Sequence, residues 1–373
     1  MKVAVVGPTY PIRGGISHYT TLFAEALRRD HTVLFVSYLK QYPDFLFPGK
    51  TQRDRSASPI STDCERLISF ADPRSWRAAA RRIVEFGPDV LLVSWVNPAL
   101  AAQFRCVTGY VKRRLPGTSI LFWCHNVVQH ERLPLNSLLT RFAFRRADGF
   151  IVTCRDSVEH LRRIKKDKPV EVAYLPTLDS FDGGEAEPDT VKAGLEPGEG
   201  TALYFGFVRA YKGLSHLIEA MPIALERLPG LRLLVVGEFW EDRAPYDRAI
   251  ARHGLEGKVR LVDGYVPNEM VAAYFRAADL VVLPYVSATG SGIVQVAYGF
   301  NKPVLTTRVG SLPEVVEDGR TGYLVSPGDP AAIAGAMIDF FERGRAEEFS
   351  RNVEEYRKRF SWEGMVEAVE SLA

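Results

Sequence analysis

The chain has 373 residues, 46% hydrophobic and 25% charged, a balance that is typical of a globular protein and excludes a disordered or fibrous one. At roughly 150 residues per domain, this length predicts two domains. The net charge of +2 hides an asymmetry, because residues 1–180 carry 27 Lys and Arg against 16 Asp and Glu, whereas residues 181–373 carry 20 against 29. A basic half suits a phosphorylated ligand, an anionic membrane surface or nucleic acid, although ordinary solvated helices also account for it.

Apolar runs alternate with helical patterns along the first half of the chain. Strands are expected at residues 2–7, 32–37, 90–95, 119–124 and 149–153. Helices are expected at about 17–28, 73–86 and 99–114. Strands that alternate with helices indicate parallel βαβ units.

An acidic segment with few apolar residues follows Leu178, and then the same alternation starts again. Strands are expected at 201–206, 232–237, 259–262, 280–283, 303–306 and 322–325, with helices at 213–227, 268–277 and 292–300. A last helical stretch, 346–373, is interrupted near Ser361. The sequence therefore predicts an α/β protein with two doubly wound domains, 1–178 and 201–356, separated by a linker and lead-in at 179–200.

The turn from Gly7 to Ser17 joins the first strand to the first helix and contains the adjacent pair Gly14 and Gly15. Adjacent glycines let backbone N–H groups approach an anion, and a helix N-terminus favours negative charge. The spacing matches neither the dinucleotide-binding fingerprint nor a Walker loop. A tight turn before a helix capped by Ser17 explains the pattern equally well.

Two cations, Arg209 and Lys212, occupy the loop after the strand predicted at 201–206. Ligands of open α/β sheets bind at the carboxyl ends of the strands, so this pair is a candidate to neutralise a diphosphate leaving group. The alternative is a pair of solvated surface charges.

Small residues precede the apolar helix predicted at 292–300. The backbone amides of Ser291, Gly292, Ile293 and Val294 would point at a phosphate or a ribose. A loop that is simply capped by Ser291 is the alternative.

Two further candidates are His125, at the end of a predicted central strand, and Glu314. A histidine at that position can hydrogen-bond a sugar hydroxyl or assist proton movement, but an isolated histidine is more often structural. Ser311 and Glu314 also have the spacing of a capping box, which would give the glutamate a purely structural role.

The four cysteines, Cys64, Cys106, Cys124 and Cys154, have neither CxxC spacing nor a metal-binding arrangement with histidine. They are expected to be reduced thiols of a cytoplasmic protein. The apolar run at the start is shorter than a signal-peptide core, and no run approaches the roughly 20 apolar residues of a membrane span. Contact with a membrane is therefore expected only at its surface.

These elements, in this order, resemble family 4 of the retaining glycosyltransferases over nearly the whole chain. That family has the GT-B fold, in which two Rossmann-like domains face each other across a cleft. The motifs that fit are the glycine pair Gly14–Gly15, the strand that ends at His125, the Lys212–Gly213 pair, and the stretch from Gly310 and Glu314 through the run at 318–325. The resemblance also implies that a last helix, about 357–373, rejoins the N-terminal domain.

The resemblance also implies residue roles. Gly14 and Gly15 would line the diphosphate and the reacting sugar, and His125 would lie beside that sugar. Lys212, together with an arginine, would hold the donor phosphates. The loop around Val266 would contact the nucleobase through its backbone.

The chain departs from the family pattern at two places. Phe207 stands where the family usually has its arginine, so Arg209 is the nearest substitute. Ala288 and Val296 occupy the expected positions of a glutamate pair that serves the donor sugar and the ribose. Gln295 is one helical position away, about 100° around the helix, which makes it a poor replacement.

The function implied is a retaining transfer of a sugar from a nucleotide-sugar to an acceptor hydroxyl, with no cofactor and no metal. The basic half indicates a lipid-linked or cell-envelope glycan acceptor and contact with an anionic membrane. A catalytically weak binding or regulatory subunit and a nucleotide-sugar epimerase are the alternatives. Nucleic-acid binding is not expected, because no recognised module is visible.

Overall fold

The computed structural model of the chain describes residues 1–43, 49, 51–125, 136–181, 191–196 and 198–373. The chain forms two compact units. Unit 1 consists of Met1–Arg55, Pro59–Pro176 and Phe360–Ala373, and unit 2 of Ser56–Ser58 and Thr177–Arg359. Residues 182–190 and 197 of the linker predicted at 179–200 lie outside the described residues, and that assignment stays a prediction.

Unit 1 is built on a seven-stranded parallel sheet with the strand order β3-β2-β1-β4-β5-β6-β7. Its strands are β1 Lys2–Val6, β2 Thr32–Lys40, β3 Glu65–Ser69, β4 Val90–Trp95, β5 Ser119–Cys124, β6 Gly149–Val152 and β7 Val170–Val172. Its helices are Gly15–Leu27, Pro73–Phe86, Ala101–Arg114, Asn136–Ala143, Asp156–Arg162 and Trp362–Ser371.

The central strands of unit 1 were predicted because they are continuous apolar runs, as in a parallel sheet buried on both faces. All six residues of β4 are buried. The two outer strands, β3 and β7, were missed. Each has only one sheet neighbour and is mostly half-buried, so polar residues interrupt the apolar pattern that identifies a central strand.

Unit 2 is built on a six-stranded parallel sheet with the order β10-β9-β8-β11-β12-β13. Its strands are β8 Gly200–Phe205, β9 Leu231–Val236, β10 Val259–Val262, β11 Leu280–Leu283, β12 Val304–Thr307 and β13 Gly322–Val325. Its helices are Leu214–Leu225, Ala244–Arg252, Asn268–Ala277, Gly292–Gly299, Leu312–Val315, Pro330–Glu342 and Ala346–Tyr356.

The interruption predicted near Ser361 is present. A 3-10 turn, Arg357–Arg359, ends the preceding helix, and the Ser361 hydroxyl accepts a hydrogen bond from the Gly364 amide (3.3 Å) to begin the last one. The Trp362 ring lies 6.3 Å from the Phe23 ring, which places this helix against Gly15–Leu27 inside unit 1.

Of the helices in the described parts of the chain, none has both the length and the apolar character required to cross a membrane.

Candidate functional site

The carboxyl end of β8 in unit 2 is shaped by two glycines. Gly206 has a φ of +114° and Gly237, which follows the neighbouring strand β9, has a φ of +151°. A Cβ atom on Gly237 would lie 2.0 Å from the Gly206 carbonyl oxygen, so the two turns approach each other too closely for any side chain. This backbone contact brings the turns after β8 and β9 together at the carboxyl ends of the strands, the edge where ligands of such sheets bind.

Lys212 ends a short 3-10 turn, Ala210–Lys212, and its side chain reaches back to this strand end. A Cβ atom on Gly206 would be 3.3 Å from the Lys212 Nζ and 3.7 Å from the Ile293 side chain. The Nζ also lies 5.3 Å from the centre of the Tyr285 ring. The predicted cation is therefore held between the β8 turn and the first turn of helix Gly292–Gly299.

The ammonium group of Lys212 is in an unfavourable environment for a charge. Burial lowers its pKa, and the nearby Arg209 guanidinium lowers it further. Across the described residues, no carboxylate forms an ion pair with Lys212. A bound anion would relieve both effects, because an opposite charge favours the protonated amine.

Arg209 is on the same loop, but aromatic rings surround its guanidinium. The group lies 5.6 Å from the Tyr211 ring centre and 5.7 Å from that of Trp240. Phe207, which stands where an arginine was expected, stacks on Trp240 at 4.1 Å. Cation–π contacts therefore orient the arginine that was predicted to share the phosphate with Lys212.

The helix Gly292–Gly299 begins at Ser291, whose hydroxyl accepts a hydrogen bond from the Ile293 amide at 3.2 Å. The Tyr285 hydroxyl lies 3.2 Å from the same oxygen. The serine cap considered as the alternative is thus present, and it engages one of the amides that were predicted to meet a phosphate. The Ile293 side chain nevertheless lies beside the Gly206 position, next to Lys212.

The turn at Gly310 is pressed against the Ser291 loop. With a φ of +50°, Gly310 would place a Cβ atom 1.9 Å from the Ala288 carbonyl oxygen, so only glycine fits. The capping box considered as the alternative for Ser311 and Glu314 was wrong, because the Ser311 side chain caps no amide of helix Leu312–Val315. Instead the Glu314 amide bonds the Ser311 carbonyl at 2.9 Å.

Three further positions that the sequence analysis singled out, Val266, Val296 and Gln295, also belong to unit 2. Val266 is half-buried in the loop before helix Asn268–Ala277, and Gly264 of that loop donates to the Gly237 carbonyl (3.4 Å). Val296 is buried in the core and only 5% exposed. Gln295 is 2% exposed, and its Oε1 accepts no hydrogen bond from the described residues.

In unit 1 the glycine turn is open. Gly14, with a φ of +112°, precedes helix Gly15–Leu27, and a Cβ atom on either Gly14 or Gly15 would meet nothing within 4 Å. The alternative in which Ser17 caps the helix was wrong, since Ser17 lies buried inside the first turn. An open turn of this kind at a helix N-terminus favours an anion.

His125 directly follows β5 at the same edge of the sheet. Its Nε2 lies 2.9 Å from the Ser94 hydroxyl of β4, and its ring centre is 4.1 Å from that of Trp123. Burial lowers the pKa of His125 to about 3. The imidazole is therefore neutral at physiological pH. It can donate one hydrogen bond and accept another, but it is a weak base.

Sequence reasoning missed Ser94 and Tyr285, which contact His125 and Ser291 respectively. Both lie at or just beyond a predicted strand end, which is the available signal. No group of three or more His, Cys, Asp or Glu side chains suited to a metal occurs within the described residues.

Comparison with known families covers both units. Residues 14–177 match the family described as "Glycosyl transferase 4-like domain", and residues 199–343 match the one described as "Glycosyl transferases group 1".

Curated relatives match part of the chain. It is 30% identical over 175 residues to the D-inositol 3-phosphate glycosyltransferase of Corynebacterium efficiens, covering 45% of this chain and 41% of that protein. It is 31% identical over 210 residues to the enzyme of that name from Streptomyces scabiei, covering 52% of this chain and 46% of that protein. The chain spans about half the length of the curated relatives it matches.

Solved structures resemble the entire chain. Sucrose-phosphate synthase from Thermosynechococcus elongatus has a TM-score of 0.74 at 21% identity, covering 100% of this chain and 98% of that chain. Anabaena HepE in complex with UDP has a TM-score of 0.72 at 16% identity, and the match covers 100% of this chain and 99% of that chain. These likenesses confirm the predicted fold of two Rossmann-like α/β domains.

Proposed function

Because the chain belongs to the group 1 glycosyltransferases, a family of transferase enzymes with the GT-B fold, we propose that it moves a sugar from a nucleotide-sugar to an acceptor hydroxyl with retention of configuration. In this reaction the bond between the anomeric carbon and the diphosphate oxygen breaks. The acceptor oxygen bonds to the same face of the sugar, and the leaving phosphate takes the acceptor's proton.

The observation that carries this proposal is Lys212. Its ammonium lies at the carboxyl end of β8, beside the N-terminal turn of helix Gly292–Gly299, with its pKa lowered by burial. A diphosphate at this point would meet a cation and the positive end of a helix. Both interactions strengthen as negative charge develops on the leaving group, so they favour the transition state over the bound donor.

The same positive groups are proposed to serve in place of a metal or other cofactor. Arg209 adds to the positive potential from its position over Tyr211 and Trp240. Val266, Ser291 and Glu314 are proposed to complete the donor site, in keeping with the turns that hold their loops together. Gly14, Gly15 and His125 of unit 1 are proposed to act on the sugar and the acceptor.

Lys212→Ala tests the proposal. We expect turnover to fall about 100-fold or more, because a cation that stabilises a developing charge contributes roughly 3 kcal/mol to the transition state. A thermal-shift screen against UDP-, GDP-, ADP- and dTDP-sugars first identifies the donor, and release of free nucleotide then measures turnover.

Lys258→Ala is the matched control, because Lys258 is a lysine of the same unit that pairs with Glu196 at 2.7 Å. It should keep wild-type turnover. Normal turnover in Lys212→Ala, with an unchanged melting temperature, would contradict the proposal. Conversion of the donor into a different sugar nucleotide, without an acceptor and without net release of free nucleotide, would instead favour the epimerase alternative.

The acceptor is proposed to be a lipid-linked or cell-envelope glycan that the protein meets at the inner face of a membrane. Helix Asn136–Ala143 exposes three large apolar side chains, Leu138, Leu139 and Phe142. The Arg105 guanidinium lies 5.8 Å from the Phe142 ring centre. An exposed apolar group flanked by cations is the combination that binds an anionic interface.

A phosphorylated cyclitol is a second candidate acceptor. It is favoured by the curated relatives, which are named for D-inositol 3-phosphate.

A further inference from the structure

A cavity of about 770 Å³ opens in unit 1, apart from the residues assigned above. We call it the β2–β3 pocket. It lies between the turn Tyr10–Ile12 after β1, the end of β2, and Arg66 of β3. Its volume is in the range of small-molecule sites. It is next to the carboxyl ends of β1 and β2, the edge at which ligands of parallel sheets bind.

The charges that line the pocket have one sign. Lys40, Arg53 and Arg66 contribute to its wall, and none of the described residues that line it is an aspartate or a glutamate. Positive side chains in the wall of a pocket favour the binding of an anion there. The pocket therefore has the electrostatic character of an anion site.

Arg66 is held in position inside this wall. Its Nε and Nη2 donate hydrogen bonds to the Tyr10 carbonyl oxygen, at 3.3 and 2.7 Å. These two bonds fix the plane of the guanidinium, and the Nη1 end makes no hydrogen bond to the described residues. A guanidinium anchored in this way presents its remaining donors to a planar or tetrahedral oxyanion.

Tyr38 supplies a second, independent indication that the pocket binds a ligand. The side chain is 1% exposed and lines the pocket, yet its hydroxyl has no hydrogen-bond partner in the described chain. An unsatisfied buried hydroxyl costs free energy. Tyr38 and Lys40 both line the pocket, at the end of β2 where the pairing with β3 is irregular.

We propose that the β2–β3 pocket binds a phosphate group carried by the acceptor. The assignment rests on the proposed function, since it names the chemical class of the acceptor. Arg66 and Lys40 neutralise the phosphate, and the Tyr38 hydroxyl donates a hydrogen bond to one of its oxygens. The phosphate anchors the acceptor, while the rest of the cavity accommodates the attached sugar or headgroup.

The test is calorimetric titration of inorganic phosphate into the Lys212→Ala protein, in which the donor site has lost its cation. We expect saturable binding that weakens at least about tenfold when Lys40→Gln and Arg66→Gln are added, because each charge-assisted hydrogen bond contributes more than a neutral one. Arg81→Gln, an exposed arginine of the same unit outside the pocket, should leave the affinity unchanged. Equal affinity in all three proteins, or no binding in any, overturns the assignment.

Tyr38→Phe separates ligand binding from a structural role. Since the hydroxyl has no partner in the described chain, its removal should not lower the melting temperature, but it should weaken phosphate binding several-fold. A loss of stability with unchanged phosphate affinity would count against the pocket.

Dihexanoyl phosphatidic acid, used below its micelle concentration, distinguishes the two sources of phosphate. Tighter binding than inorganic phosphate, lost in the Lys40→Gln/Arg66→Gln protein, identifies a lipid-borne phosphate. Equal affinity identifies a water-soluble phosphate ester. Donor binding by the wild type is measured separately. If the pocket has no affinity for phosphate, the proposed function still stands. If Lys212→Ala keeps full turnover, the proposed function fails.

Discussion

Single residues of the candidate site owe their chemistry to burial more than to charge pairing. Burial lowers the pKa of Lys212 and that of His125. The two groups respond differently. Burial disfavours the charged form of the lysine, which a bound anion would stabilise, whereas the imidazole stays neutral and bonds the Ser94 hydroxyl. An electrostatic role suits the first residue and a hydrogen-bonding role the second.

His125 should make stability depend on pH. Its pKa in the folded protein, about 3, lies below the ordinary value of 6.5. The folded state therefore binds fewer protons, and the stabilising contribution, complete above about pH 6.5, is lost as the pH falls towards 3. Between about pH 7.5 and 5, urea unfolding should reveal a loss of up to about 2 kcal/mol from this residue.

His125→Gln should remove that part of the pH dependence. His253→Gln, which replaces an exposed histidine of unit 2, should retain it. An equal pH dependence in wild type and His125→Gln would show that the imidazole titrates normally in the folded protein.

At the scale of helices and strands, tight turns between the elements position the candidate site. Glycine residues allow these turns to form. Gly213 follows Lys212 with a φ of +68°, and a Cβ atom there would lie 2.0 Å from the Pro284 carbonyl oxygen. The Val286 amide bonds the Tyr211 carbonyl at 2.8 Å, which ties the same two loops together. These contacts therefore hold the lysine loop against the loop after β11.

Gly213→Ala tests this contact. Gly254 has a similar φ of +61° but nothing within 4 Å of its Cβ position, so Gly254→Ala measures the backbone strain alone. We expect the control to lose roughly 1 kcal/mol of unfolding free energy and Gly213→Ala to lose about 2 kcal/mol or more beyond that. Equal losses in urea unfolding would mean that the turn does not depend on the close approach to Pro284.

For the molecule as a whole, charge is distributed unevenly along the chain. Residues 1–180 have an excess of 11 bases, and the remainder has an excess of 9 acids. Within the basic half, burial and then the neighbouring Arg146 and Arg145 lower the pKa of Arg105. Cations are thus crowded beside the exposed ring of Phe142, which is 47% accessible.

Binding to phosphatidylglycerol vesicles should follow from this arrangement, and it should weaken as salt is added, since screening reduces surface electrostatics. Phe142→Asp should abolish sedimentation with vesicles because it places a carboxylate in the apolar contact. Ile223→Asp is the control, since Ile223 is 40% exposed on unit 2. Equal sedimentation of both variants would argue against a membrane surface at helix Asn136–Ala143.

Much of this architecture could be predicted from the sequence, because its signals are local. Continuous apolar runs specified the central strands, and the adjacent glycines Gly14 and Gly15 indicated the turn before the first helix. The position of Lys212 at a strand end followed from the same alternation. Local periodicity and backbone conformation depend on neighbouring residues, so one stretch of sequence contains the necessary information.

Only the tertiary structure decided how side chains distant in sequence meet. Arg209 lies over Trp240, His125 bonds Ser94, and Arg66 bonds the carbonyl of Tyr10, and in none of these cases does local spacing reveal the partner. The β2–β3 pocket likewise needs residues from two strands and a turn. Such contacts form when separate elements pack together, because packing determines which polar groups lose water and which of them find a partner.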